Sequence, residues 1–380
     1  MSAKLGLTSF GGPIAHLGYF HDEYVRRRKW MDEKSYADLV ALCQFLPGPA
    51  SSQVGIGIGL VRAGLWGGFI AWLGFTFPSV IASVLFAWLM QGFDIASSGW
   101  IHGLKIVAVA IVAHAILGMG QKLAPDRNRA SIAVAAAAIA LLWQTAYAQF
   151  LIIILAGILG LWLYHKSSVM QTHSLHITIS KRFAIGCLAL FVLLLFGLPV
   201  IRQSTGIEWI ALFDSFYRSG SLVFGGGHVV LPMLEREVVP TGWVSGADFL
   251  AGYGAAQAVP GPLFTFASYL GALSGGAAGA AIATVAIFLP AFLLVVGALP
   301  FWNVLRSSPK IQGALVGINA AVVGILIAAL YDPLWTTAIQ APVDFALALL
   351  LFILLVFWKL PPWIVVLSGA LGGVIIGYIN

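Results

Sequence analysis

Charged residues are scarce in this sequence, at 9% of 380 residues, against about a quarter in a typical soluble domain. Cysteine is nearly absent too. Cys43 and Cys187 both lie in apolar stretches, so we expect neither a disulfide nor a zinc centre. Residues 1–13 lack the basic start and apolar core of a cleavable signal. With 60% hydrophobic residues and a mean hydropathy of +0.96, the chain is predicted to be an all-α polytopic membrane protein.

Two motifs occur twice in the same order, which indicates an internal repeat. Phe10-Gly11-Gly12-Pro13 is echoed by Phe224-Gly225-Gly226-Gly227, and Gln44-x-x-Pro47-Gly48-Pro49 is echoed by Gln257-x-x-Pro260-Gly261-Pro262. A long polar stretch at 165–182 separates the copies. We therefore predict that residues 1–164 form a first repeat with two hairpins and four spans. Residues 165–208 are predicted to be a linker with one extra transmembrane helix, and residues 209–380 a second, inverted repeat.

The glycine- and proline-rich motifs interrupt the segments that open each copy, because these residues disturb the helical hydrogen-bond ladder. Each interrupted segment has arms of about 10–12 residues, which at 1.5 Å per residue reach about half of a 30 Å hydrocarbon core. We interpret these segments as re-entrant hairpins. The alternative is that glycine and proline only kink packed helices that span the membrane.

The loop lysines and arginines support the hairpin interpretation, since cytoplasmic loops carry the excess of basic residues. With four hairpins and nine spans, and with Lys4 and Arg218 left out because their side is ambiguous, fifteen fall inside and three, Lys105, Arg202 and Arg236, fall outside. The formal charge of +6 is therefore a topology signal and not a nucleic-acid surface. Loops 21–35, 121–129 and 165–182 are expected to be cytoplasmic, and Asn380 is expected to face outward.

Half-helices that restart after a break present unpaired N–H groups and a positive dipole end, which attract anions. No carboxylate lies inside the breaks, which disfavours a cation site. We expect Gln44 and Gln257 to donate near one midplane site, unless their amides only satisfy carbonyls freed by the prolines. The full set of expected substrate-binding residues is Phe10, Gly11, Gly12, Gln44, Pro47, Gly48, Pro49, Ser51, Ser52, Phe224, Gly225, Gly226, His228, Gln257, Pro260, Gly261, Pro262 and Thr265.

Four charged residues are candidates for ion coupling or for an inner vestibule. Asp214 and Arg218 are four residues apart on the helix that leads to the second Phe-Gly-Gly motif, and an ionisable pair inside a membrane is a functional candidate. The alternative is a snorkelling pair near the outer surface. Arg26 and Arg28 are expected to contact anionic lipid and, as a second role, to raise the local anion concentration. No cofactor or metal ion is expected.

The two motifs, the basic loop between them and their repetition after a linker resemble the chromate ion transporter family in its long two-domain form. The resemblance covers essentially the whole chain. It implies a secondary transporter of the bacterial cytoplasmic membrane that exports chromate by alternating access, with sulfate as a competing tetrahedral dianion. Only nine residues precede Phe10, so the leading arm of the first hairpin is expected to be short.

Other functions stay open at this point. A carrier of sulfate or another oxyanion needs the same groups, whereas an anion channel fits inverted repeats less well. A membrane-embedded enzyme would need a cofactor motif, paired carboxylates or a metal set, and the sequence shows none of these. We therefore expect no enzyme. Glycine-rich stretches such as 275–279 can pack helices within one chain or between two, which leaves a homodimer open.

Overall fold

The computed structural model of the chain describes residues 1–10, 12–92, 99–143, 145–164, 179–224, 227–302, 305 and 308–379. Every regular element within these ranges is helical. Large apolar side chains such as Trp66 and Leu193 are exposed along the helices, as expected of surfaces in contact with lipid. The prediction of an all-α polytopic membrane protein is confirmed. In the described ranges, the helices long and apolar enough to cross a bilayer are Ala50–Gln91, Gly99–Leu123, Lys181–Thr205, Leu263–Phe301 and Pro309–Ala338.

The α-helices follow one another with short connections. Up to the linker they are α1 Ser2–Thr8, α2 Gly12–Phe20, α3 Glu33–Phe45, α4 Ala50–Gly92, α5 Gly99–Leu123, α6 Arg127–Leu142 and α7 Ala146–Leu163, with a π-helical segment at His21–Arg27. After it come α8 Lys181–Thr205, α9 Glu208–Ser221, α10 Val230–Val238, α11 Gly246–Ala256, α12 Phe266–Ala298, α13 Pro309–Ala329, α14 Pro342–Val356 and α15 Pro362–Ile379. Single turns occur at Gly227–Val229, Leu263–Thr265, Leu299–Phe301 and Thr336–Ala338, and Leu330–Trp335 is π-helical.

A sharp reversal divides α4 near its start. The Ala63-Gly64 pair leaves the helical conformation, with φ of −146° and 62°. A Cβ on Gly59 would collide with the carbonyl oxygen of Gly67, so the two residues are in contact. In a straight helix, residues eight positions apart would be separated by about 12 Å. Residues 50–62 are therefore a short arm folded back against the long helix 65–92.

The same reversal divides α12. The Gly275-Gly276 pair has φ of −152° and 61°. A Cβ on Gly271 would collide with the carbonyl oxygen of Gly279, so residues 266–274 form a short arm folded against 277–298. Two distant parts of the chain thus share one unusual backbone geometry, which supports the two-repeat interpretation.

The helices before the Phe-Gly-Gly motifs differ in length. The leading helix α1 has 7 residues, whereas α9 has 14. The helix described before the first motif is thus half as long as the helix before the second. The nine-span count and the exact domain bounds stay predictions.

The long helices of the two halves pack crosswise. Helix α5 lies against α14 and α15, and α13 lies against α6 and α7. Glycines let these backbones touch, because a Cβ on Gly103 would collide with the carbonyl oxygen of Gly369, and one on Gly317 with that of Ala156. Small residues at such crossings are common in membrane proteins. Each half therefore completes the packing of the other.

Contacts between loops agree with the predicted sidedness. Arg236 donates to the carbonyl oxygen of Ala140 at 2.7 Å, and both positions are predicted to be near the outer face. Tyr164 donates to the Asp126 carboxylate at 3.4 Å, and both are predicted to be near the inner face. Which face is cytoplasmic stays a prediction. Gly11, Gly225, Gly226, Asn380 and the linker stretch 165–178 lie outside the described residues.

Candidate functional site

The two Pro-Gly-Pro motifs separate the arms of two hairpins. Gly48 lies between α3 and α4 with φ of 116°, and Gly261 follows α11 with φ of 98°. Both values lie where a residue with a Cβ is strained, so these positions favour glycine. The flanking prolines donate no backbone hydrogen bond. The carbonyl groups around each break therefore need partners from elsewhere in the fold.

Each Pro-Gly-Pro break is hydrogen-bonded to the other half of the chain. The backbone N–H of Gly48 donates to the carbonyl oxygen of Val223 at 2.7 Å, and that of Gly261 donates to the carbonyl oxygen of Ser9 at 2.9 Å. Both acceptors directly precede a Phe-Gly-Gly motif. The breaks predicted to form the site are thus joined in pairs, and each pair combines one break from either half.

A further contact links these pairs. The turn Gly227–Val229, just after the second Phe-Gly-Gly motif, lies against the turn Leu263–Thr265 after the second Pro-Gly-Pro motif. His228 sits in this contact, and its Nδ1 lies 2.7 Å from the hydroxyl oxygen of Tyr253 on α11. One ring nitrogen of this expected anion donor is therefore engaged within the protein.

Gln53 is a side chain that the sequence prediction did not assign to the site. Its Nε2 donates to the carbonyl oxygen of Pro47 at 2.7 Å, so it satisfies a carbonyl of the first break. Gln53 and its neighbours Ser51 and Ser52 are buried. By contrast, Gln44 is exposed on α3. A signal for Gln53 was present in the sequence, since an amide on the restarting arm stands beside the free end of the helix.

Hydroxyl groups serve the second break instead. Ser79, on the long helix 65–92, donates to the carbonyl oxygen of Pro260 at 2.5 Å, and Thr265 donates to that of Pro262 at 2.8 Å. Gln257 is half-buried, and its Nε2 is buried near the hydroxyl group of Tyr253, one helical turn earlier in the chain. Of the two expected glutamines, Gln257 is the one whose amide is buried at a break.

His16 and Ser9 form a small polar cluster at the first Phe-Gly-Gly break. Nε2 of His16 lies 3.2 Å from the carbonyl oxygen of Ser9, and the ring stands edge-on to Phe75 at 5.4 Å. Because a carbonyl only accepts, Nε2 carries the proton, and in a neutral ring Nδ1 is then an acceptor. His16 therefore positions Ser9 and is not itself an anion donor.

The buried polar atoms without partners concentrate around these breaks. In the described part of the chain they include the hydroxyls of Ser9, Ser52 and Thr76, which can donate, and two acceptors, Oε1 of Gln53 and Nδ1 of His16. Such atoms are uncommon in native proteins and indicate a bound ligand or water. With helix N-termini nearby and no carboxylate in the break segments, the arrangement offers neutral donors to an anion.

The phenylalanine rings of the two Phe-Gly-Gly motifs pack against other parts of the protein. The Phe10 ring lies 6.4 Å from the ring of Trp363 on α15. Phe224 is half-buried against the larger apolar core. Both rings therefore contact the body of the protein, which holds the adjacent breaks in place.

Asp214 and Arg218 belong to a buried ionic network. Arg218 bonds to Asp214 at 3.0 Å and to Glu237 at 2.9 Å, and Arg202 of α8 reaches Asp214 at 3.2 Å. Asp214 is fully buried. The predicted pair is therefore extended by a second arginine and a second carboxylate, so the charges balance.

Arg26 and Arg28 lie in the π-helical region and the turn that follows it. Arg26 pairs with Asp22 at 3.2 Å, and Arg28 pairs with Glu23 at 2.7 Å. The hydrogen bond from Arg28 holds the pKa of Glu23 below its usual range. Arg28 also lies over the ring of Trp30, with its guanidinium carbon 5.4 Å from the ring centre. These arginines thus order the polar end of the first half.

Comparison with known proteins relates this chain to chromate transporters. The chain matches the family model for chromate transporters over residues 1–161 and 210–374. A chromate transport protein of Pseudomonas aeruginosa is 28% identical over 89% of this chain and 81% of the relative. Another, of Cupriavidus metallidurans, is 26% identical over 98% of this chain and 90% of the relative. No solved structure matches the chain.

Proposed function

We propose that this chain, which belongs to the chromate transporter family, carries chromate or a similar tetrahedral oxyanion across the bacterial cytoplasmic membrane. The two relatives described above are chromate transport proteins, and the apolar helices are those of an integral membrane protein. The observation that carries the proposal is the pairing of four breaks through the Gly48–Val223 and Gly261–Ser9 hydrogen bonds. In this proposal the protein is a transporter without a catalytic residue.

Neutral donors suit the transport of a dianion. Hydroxyls, an amide and backbone N–H groups at helix ends can replace part of the hydration shell of the anion. A fixed cation in the same place would bind a dianion more tightly and slow its release. The described break segments, with Ser9, Ser52 and Gln257 beside them, provide such donors.

The two hairpins differ in packing, which supports alternating access. On α11 the face that includes Leu250 and Gly254 is buried, whereas on α3 the face that includes Ala37, Ala41 and Gln44 is exposed. We propose that this is a state open on the side of α3, which the charge distribution assigns to the cytoplasm. Closure of that face and opening of the other would move the anion outward.

Purified protein in proteoliposomes tests the proposal. Chromate transport is expected to be saturable, to be inhibited by sulfate, and to show less inhibition by phosphate at equal concentration. Preloading the opposite compartment with unlabelled chromate should accelerate uptake of labelled chromate, because a carrier returns faster when loaded. Transport of no tetrahedral oxyanion would contradict the proposed function, and uptake without counterflow would indicate a channel.

A further inference from the structure

We propose that one oxyanion is held mainly by the first half of the chain, with the hydroxyl groups of Ser9 and Thr76 as donors and Ser79 as the residue that positions them. This inference rests on the proposed function and names the ligands of that site. Three features of the long helix 65–92 support it: a buried polar face, a bond from that face to the second break, and apolar residues at the matching place in the second half.

The polar face of the helix 65–92 is formed by Thr76, Ser79 and Ser83. The spacing i, i+3 and i+7 puts these residues on one side of a helix, and their exposed fractions are only 2%, 1% and 3%. The bond from Ser79 to the carbonyl oxygen of Pro260 directs this face toward the second Pro-Gly-Pro break.

Ser9 reaches the same break from a different direction. Its carbonyl oxygen accepts from the N–H of Gly261, the residue after Pro260. A Cβ on Gly261 would collide with the Ser79 hydroxyl. Ser9 and Ser79 therefore both contact Gly261, and Thr76 lies one helical turn before Ser79 on the same polar face.

The protons of these hydroxyl groups are used differently. The Ser79 hydroxyl donates its single proton to the carbonyl oxygen of Pro260, so it cannot also donate to an anion. The hydroxyls of Ser9 and Thr76 are buried without a partner in the described ranges. A hydroxyl within a helix often donates to the carbonyl four residues earlier, as Ser219 does at 2.8 Å. Thr76 makes no such bond, so its proton is available to a ligand.

The register of the second half follows from its landmarks. Gly64 and Gly276, the left-handed residues of the two reversals, are 212 positions apart (276 − 64). Pro78 and Pro290, the prolines inside the long helices, are also 212 apart (290 − 78). The two long helices can therefore be compared residue by residue.

The comparison shows that the hydroxyl groups of Thr76 and Ser79 have no counterparts at the matching positions of the second half. Thr76 corresponds to Phe288, and Ser79 corresponds to Ala291. Both counterparts are buried. Ala291 lies 3.6 Å from where a Cβ of Gly48 would be, the place that Ser79 takes beside Gly261. The two halves thus form similar backbone breaks, but the long helix of the second half has apolar residues where the first has Thr76 and Ser79.

Chromate binding to the full chain in lipid nanodiscs tests the inference by calorimetry. Thr76→Val and Ser9→Ala are each expected to weaken binding by about 10- to 100-fold, because a hydrogen bond to a charged group is lost. Thr76→Ser keeps the hydroxyl and should bind within about threefold of the wild type. Ser219→Ala removes a buried hydroxyl that already has a partner and should leave binding unchanged. The expected stoichiometry is one anion per chain.

Melting temperatures of all variants show whether each is folded, and Ser9→Ala decides the matter if Thr76→Val does not fold. Wild-type affinity in both folded variants, or two anions bound per chain, would overturn the inference while the proposed function stands. Failure of the wild-type protein to bind or transport chromate and sulfate would instead contradict the proposed function itself.

Discussion

Gly254 lies so close to Leu104 that a Cβ on the glycine would collide with the leucine carbonyl oxygen. This contact closes α11 against α5. The residue at the same distance from the first Pro-Gly-Pro motif is Ala41, and its side chain is exposed. Under the proposed alternating-access mechanism, this difference separates a closed hairpin from an open one.

Enlarging Ala41 should stop transport without disturbing the state described here. In Ala41→Leu the added side chain points from an exposed face, so folding is expected to be unaffected. If that face must close during each cycle, the extra volume prevents closure, and transport should fall at least about tenfold, since overpacking of a close contact costs about 1–3 kcal/mol. Ala138→Leu, at another exposed alanine on α6, is the matched control. Normal transport by Ala41→Leu would contradict closure of α3.

Leucine at the glycines of the Pro-Gly-Pro breaks should abolish transport. Gly48→Leu and Gly261→Leu place a side chain at positive φ and block approach to the backbone N–H groups. Gly242→Leu is the control for strain alone, because Gly242 also has positive φ, of 77°, but has open space around it. Transport assays normalised to the amount of folded protein distinguish backbone strain from blocked access to the N–H groups. Equal losses of transport in all three variants would show that the breaks do not form the site.

A carboxylate at Gln257 should impair binding more than truncation does. Gln257→Glu keeps the size of the side chain but repels a dianion, whereas Gln257→Ala only loses a donor. The defect of the glutamate variant should ease at low pH, as the carboxyl group becomes protonated. Gln44→Glu and Gln44→Ala are the parallel pair, and the exposure of Gln44 predicts smaller effects in this state. Equal, pH-independent defects in the Glu and Ala variants would assign the glutamines to structure.

The ionic network around Asp214 is expected to stabilise the fold. Asp214→Asn leaves two arginines short of a charged partner, and the loss of one member of a buried ion pair costs about 3–5 kcal/mol. Thermal melting should therefore show a large decrease, while Glu208→Gln, at an exposed carboxylate of the same helix, should have little effect. A changed pH profile of transport with unchanged stability would favour ion coupling by this pair.

Accessibility of single cysteines to a membrane-impermeant reagent tests the topology. In a background with Cys43 and Cys187 replaced, Arg28→Cys and Lys122→Cys should react only from the cytoplasmic side. Thr205→Cys should react only from the outside. Labelling of Arg28→Cys and Lys122→Cys from opposite sides would favour the alternative in which the interrupted segments are kinked helices that span the membrane.

The sequence indicated the breaks because proline and glycine act locally on the backbone. The positive φ values of Gly48 and Gly261 follow from the residues themselves. The partners of the breaks could not be predicted in this way. The bond from Gly261 to Ser9 joins residues about 250 positions apart in the chain and depends on how the two halves fit together. The role of Thr76 has the same origin, since only packing distinguishes it from other polar residues of apolar helices.

The crosswise packing also sets an order of assembly during synthesis. Helices α6 and α7 are complete about 145 residues before α13 begins, which corresponds to roughly 7–30 s of translation at about 5–20 residues per second. During this interval their glycine- and alanine-rich faces have only lipid and early helices as neighbours. The first half is therefore only partly packed until α13 inserts against α6 and α7 and, later still, α14 and α15 insert against α5.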